Sequence, residues 1–169
     1  MCHIENGSKN DITLVFSCPG QVEEQFNKPA AGQTGTNLEI VLNYLNQRHI
    51  LDWERDDITI TNASDKPEYT AKSNRTEATF SEITNSSNLL RLQGELENTS
   101  KYIVTFGKNA NHAVNSIEKS KLNPNVKVIE SSHLSFSNIN RSIKSEETSS
   151  QERTKDRLEQ LAQNILEKL

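Results

Sequence analysis

The chain has 169 residues, a formal net charge of −4 and only 5% aromatic residues. At about 150 residues per domain, this length predicts one unit spanning 1–169, with a single core. The acidic balance excludes an overall basic nucleic-acid footprint and leaves only a local one; with no leader-like or membrane-length apolar run and free thiols at Cys2 and Cys18, the expectation is a monomer in the cytoplasm without membrane contact.

Residues 1–10 are polar and predict loose chain. Ile12 to Phe16 is apolar apart from Thr13 and predicts a strand covered on both faces. Pro19 to Thr36 reads as a long loop. Leu38, Val41, Leu42 and Leu45 recur at helical spacing and predict a helix from Asn37 to His49, capped by Thr36 or Asn37. Asp57 to Thr61 predicts a second, β-branched strand, and Asn62 to Thr79 a polar loop. Leu89, Leu92 and Leu96 put a helix over Ser81 to Asn98, weakened by the polar cluster Asn85 to Asn88. Lys101 to Phe106 is a third strand closed by Gly107, Asn109 to Glu118 a helix, and Asn125 to Glu130 a fourth strand. Ser131 to Ser150 reads as polar loop. A last helix runs from Gln151 to Lys168, with Leu158, Leu161, Ile165 and Leu169 as its buried stripe. Strands alternating with helices predict a three-layer α/β/α sandwich around a four-stranded parallel sheet.

In such a sheet, ligands bind at the carboxyl ends of the strands. Three predicted loops lie there. The first carries Ser17, Cys18, Pro19, Gly20, Gln21 and Glu23; the second Asn62, Asp65 and Lys66; the third His133 and Ser135. A side-chain amide both donates and accepts hydrogen bonds, and an imidazole exchanges protons near neutral pH. Arg75 and Arg141, with Lys66, Lys72 and Lys144, could form a local basic face in two loop regions, or be ordinary solvated charge. Cys18 and His133 also leave open a thiol nucleophile with its base.

Pro19, Gly20, Glu23, Pro29, Gly32 and Gly35 fall in register with the first motif of the iron–sulfur branch of the uracil-DNA glycosylase superfamily. Ile60-Thr61-Asn62 resembles that family's second-strand Thr-Asn element, and Asn74-Arg75 its downstream Asn-Arg pair. Thr105-Phe106-Gly107 followed by Ala110 is similar to its third-strand element, and His133-Leu134-Ser135 stands where the family has His-Pro-Ser. The resemblance covers residues 12 to 140. It implies excision of a base from DNA, with the nucleotide turned out of the stack. By position, His133 would donate to the base carbonyl, Asn62 would read the base edge, and Gly20 and Gln21 would offer backbone N–H groups. Ser135 and the neighbouring backbone would hold phosphate, Phe136 or Ile139 would fill the vacated stack, and Arg75 and Arg141 of the local basic face are further DNA-binding candidates.

Four departures qualify that resemblance. The positions that carry the water-activating carboxylate in the family hold Ser17 and Cys18, so Glu23 or Glu24 would substitute, a water held by Ser17 would attack unaided, or hydrolysis is lost and a DNA- or nucleotide-binding module remains. Ala30 replaces the phenylalanine that stacks on the base, which widens the pocket toward a bulky 5-modified pyrimidine and hence toward phage defence rather than repair; alternatively, another residue supplies the wall. The cluster cysteines are missing, with Asp65 at one of their positions, which predicts no iron–sulfur cofactor. Leu134 in place of proline predicts a looser His loop.

Overall fold

A computed structural model describes residues 1–48 and 52–169. Its sheet has five strands in the order β1-β3-β2-β4-β5: β1 (Ile4–Glu5), β2 (Ile12–Phe16), β3 (Thr59–Asn62), β4 (Tyr102–Phe106) and β5 (Lys127–Ser131). β2, β3, β4 and β5 are parallel, as their alternation with helices predicts. The fifth strand is a correction. β1 lies antiparallel on β3, with Ile4 opposite Thr61 and Glu5 opposite Ile60. A two-residue edge strand has no period to read. It is held by distant contacts: Ser8 and Lys9 donate backbone N–H groups to the Asp56 and Asp57 carbonyls, and Glu5 pairs with Arg55 at 2.8 Å.

Among the described residues the eight helices are α1 (Gln21–Phe26), α2 (Gly32–Arg48), α3 (Thr70–Ser73), α4 (Phe80–Ile83), α5 (Ser86–Leu96), α6 (Lys108–Asn115), α7 (Phe136–Ser142) and α8 (Ser150–Leu166). Side chains alternate across a strand, and β2 divides its apolar residues accordingly. Ile12, Leu14 and Phe16 face a core layer with Leu38, Leu42 and Leu45 of α2 and Leu158, Leu161 and Ile165 of α8. Val15 faces the other layer with Leu92 and Leu96 of α5 and Ala113 and Val114 of α6. This is the expected α/β/α sandwich.

Several boundaries differ for local reasons. α2 begins at Gly32, upstream of the expected Asn37; the predicted end at His49 lies outside the described residues. The helix expected over Ser81 to Asn98 is two helices. Thr84 closes the first and Asn85 caps the second, its side chain accepting from Asn88 N at 3.0 Å, so the polar cluster is a helix start. α1, α3 and α7 lie in stretches read as loop, and four to seven residues are too few to show a helical period.

Candidate active site

Gly107 ends β4 with φ 98°, in the left-handed region. A Cβ there would stand 3.3 Å from both Cβ and Cδ2 of His133, so the missing side chain lets the imidazole lie against the strand end. The loop after β5 is held at several points. Ser135 N donates to His133 Nδ1 at 3.0 Å, and Asn138 Nδ2 donates to the His133 carbonyl at 2.9 Å. Leu134 is fully buried, and its carbonyl accepts from Asn37 Nδ2 at 2.7 Å. The looseness expected from leucine in place of proline is therefore corrected: core packing and three hydrogen bonds do what ring rigidity would have done.

The Ser135 bond decides the tautomer. A backbone N–H aimed at Nδ1 requires a lone pair there, so the neutral ring carries its proton on Nε2. Burial pushes the His133 pKa below its ordinary value, while the charges of Glu77 and Glu23 push it up. His133 shares a cleft of about 520 Å³ with Phe16, Cys18, Gly20, Ala30 and Asn62. The strand ends thus bring the imidazole, the amide and the first-motif loop together.

Asn62 is buried, and its Nδ2 donates to the His3 carbonyl at 3.2 Å. Among the described residues its Oδ1 has no partner, which leaves an acceptor on a residue that lines the cleft. The Gly20 N–H is engaged by Glu23 Oε2 at 3.1 Å, in a cap of α1, and Gln21 lies outside the cleft wall. The expectation that both amides are free for a base is corrected at Gly20, because Glu23 closes back on its own helix start. Ala30 lines the cleft with φ 43°, its carbonyl held by Arg55 Nη1 at 3.1 Å. The cleft's aromatic residue is Phe16, stacked on Phe106 with ring centroids 4.8 Å apart.

Cys18 is held as a thiol. Burial first, then the charge of Glu77, pushes its pKa to about 11, which argues against the thiolate nucleophile. Ser17 is buried, and its hydroxyl donates to Glu77. Glu77 also accepts from Asn109 Nδ2 at 3.1 Å. Sequence reasoning missed Glu77, Asn109 and Asn138. The one available signal for Glu77 was its place two residues after Arg75.

A second cleft, of about 450 Å³, is lined by Ser17, Gly107, Asn109 and Ser132. It shares His133, Asn138 and Glu77 with the first.

A family model described as the uracil DNA glycosylase superfamily matches residues 7–161. The chain belongs to the uracil DNA glycosylase superfamily. A search of curated proteins gave no match. Membership supports a DNA glycosylase-like function acting on DNA, and no described helix is long and apolar enough to cross a membrane.

Against that superfamily, the residues expected to touch DNA divide. Arg141 lines the first cleft beside Ser137, and Phe136 is 39% exposed at the start of α7. Ile139 is fully buried, so it is no wedge. Arg75 pairs with Glu68 at 2.6 Å and Glu82 at 3.0 Å, which corrects its expected freedom for phosphate. Ser135 uses its N–H on His133 and its hydroxyl to cap α7 through Asn138 N, so it positions the loop. The four-thiolate cluster of the iron–sulfur branch does not fit a chain whose only cysteines are Cys2 and Cys18.

Proposed function

We propose that this chain works as a single-domain DNA glycosylase that hydrolyses the N-glycosidic bond of a flipped-out pyrimidine, uracil-like or bearing a bulky 5-substituent. The observation that carries the reading is one cleft with the Nε2–H of His133, the free Oδ1 of Asn62 and the small wall at Ala30. Breaking the bond leaves negative charge on the base carbonyl, and a preorganised donor such as Nε2–H is worth most where that charge develops. A neutral imidazole suits this task, since it needs no counter-charge in a partly dry site. Asn62 Oδ1 accepts an N–H from the base edge. The fixed amide orientation makes that readout directional.

Ala30 supports the wider substrate. With no side chain beyond Cβ, this position leaves room that an aromatic wall would fill, while Phe16 keeps an apolar surface in the cleft. A hydroxymethylated or glucosylated pyrimidine uses that room, and such bases make defence against phages with modified DNA the fitting role.

The test is release of free base. Purified protein is incubated with oligonucleotides carrying uracil, 5-hydroxymethyluracil or glucosylated 5-hydroxymethylcytosine. Freed base is read by mass spectrometry and abasic sites by alkaline cleavage. Release from a modified substrate is expected; efficient release of plain uracil alone sinks the bulky-base proposal. The absence of a carboxylate at Ser17 and Cys18 favours a second reading, a DNA- or nucleotide-binding module without turnover. Binding to these oligonucleotides with no freed base would establish it.

A further inference from the structure

We propose that Glu77 is the catalytic base of this site, replacing in space the carboxylate that the first motif lacks in sequence; the proposal rests on the glycosylase reading. Three carboxylates line the base cleft: Glu23, Glu68 and Glu77. Glu23 closes on the Gly20 N–H as a helix cap. Glu68 is buried, pairs with Arg75 at 2.6 Å and accepts from the Ser73 hydroxyl. Its charge is therefore neutralised and its oxygens are engaged. Glu24 is bound to Tyr69 and Lys72 and does not line the cleft.

Glu77 differs in kind. Its partners are neutral donors, the Ser17 hydroxyl and the Asn109 amide. They fix the carboxylate without cancelling its charge, which a base must keep. Ser17 sits two residues before Pro19, so this hydrogen bond ties Glu77 to the backbone position where the superfamily resemblance expects a carboxylate. Glu77 also borders both clefts together with His133. The donor for the departing base and the acceptor for the water's proton thus line the same two clefts. Ser17 and Asn109 are positioning residues in this scheme.

The step balances as follows. The bond between C1′ and the base nitrogen breaks, and its electron pair leaves with the base, whose carbonyl oxygen is met by His133 Nε2–H. Water forms the new bond from its oxygen to C1′, and one water proton passes to the Glu77 carboxylate. No oxidant, reductant or metal is needed.

The test uses the full-length protein with Glu77→Gln and Glu77→Ala, and the three oligonucleotides named above. Glu77→Gln keeps acceptors for Ser17 and Asn109 but accepts a proton poorly. Single-turnover release is expected to fall about 10²–10⁴-fold, with DNA binding and melting temperature near wild type. Azide attacks a sugar cation without losing a proton, so adding it should restore base release in both variants and leave azide at C1′ of the product. If Glu77→Ala fails to fold, Glu77→Gln with and without azide decides. Wild-type release with Glu77→Gln within about threefold overturns the Glu77 role alone. A loss that azide does not restore makes Glu77 structural and overturns it equally. No release from any substrate by wild type overturns the glycosylase reading and this proposal with it.

Discussion

At His133 a backbone amide fixes the chemistry. The Ser135 N–H that selects the Nε2 proton has no place for a second proton on Nδ1. Protonation thus breaks a hydrogen bond and charges a site whose burial already lowers the pKa. The sign follows: the unfolded chain takes the proton near the ordinary value of about 6.5, before the folded one does. Stability present above that pH therefore falls as pH drops through the lowered folded value. Melting temperatures from pH 8 to pH 5 should show this loss in wild type and a smaller one in His133→Gln. His133→Ala, which removes the ring N–H outright, should release base about 10²–10³-fold more slowly, the usual effect of deleting one donor to a developing anion. Gly107→Ala should act through geometry, since its Cβ meets the imidazole at 3.3 Å and its φ of 98° disfavours a side chain. A lowered kcat with little change in substrate binding is expected; unchanged turnover would refute close packing of the ring on Gly107. His133 and Asn62 were legible in sequence because they lie in loops that follow the carboxyl ends of predicted strands, at positions matching family motifs. Glu77 was not, since its one local signal, a place two residues after Arg75, says nothing of hydrogen-bonding partners 60 and 32 positions away.

The elements act as brackets for these residues. β1 supplies the edge of the sheet, and the His3 carbonyl next to it orients the Asn62 amide. Deleting residues 1–5 should free that amide and expose the edge of β3. Reduced base release together with a lower melting temperature is the expected result, and unchanged activity would refute the orienting role. α7 is seven residues long and is capped by Ser135, whose hydroxyl accepts from Asn138 N at 3.3 Å. Ser135→Ala should cost about 1 kcal/mol of stability through the lost cap, measurable by urea unfolding, while the Ser135 N–H still holds His133 and activity stays near wild type. Neither element has a sequence period. β1 is too short, and α7 buries only Ile139 and presents no stripe. The long elements β2, α2 and α8 were legible because each repeats apolar residues over two or more turns or pleats.

On the scale of the molecule, a net charge of −4 and a cleft lined by three carboxylates limit how many phosphates the protein can hold. Arg141 stands at the cleft, whereas Arg75 is committed to Glu68 and Glu82. Binding to an oligonucleotide should therefore weaken only gently with salt, because the slope of log affinity against log salt counts neutralised phosphates. A slope of about −1 to −3 is expected, and one near −8 would demand many more phosphate contacts than Arg141 and its neighbours at the cleft supply. The sequence by itself determined the layered α/β/α order, the four parallel strands and the family, because hydrophobic period and motif spacing are properties of contiguous chain. Only the tertiary structure decided which N–H groups were already taken, which arginine was free, and that a carboxylate from residue 77 stands beside Ser17. Hydrogen-bond partners and charge pairs are settled by distance in space, which separation along the chain does not encode.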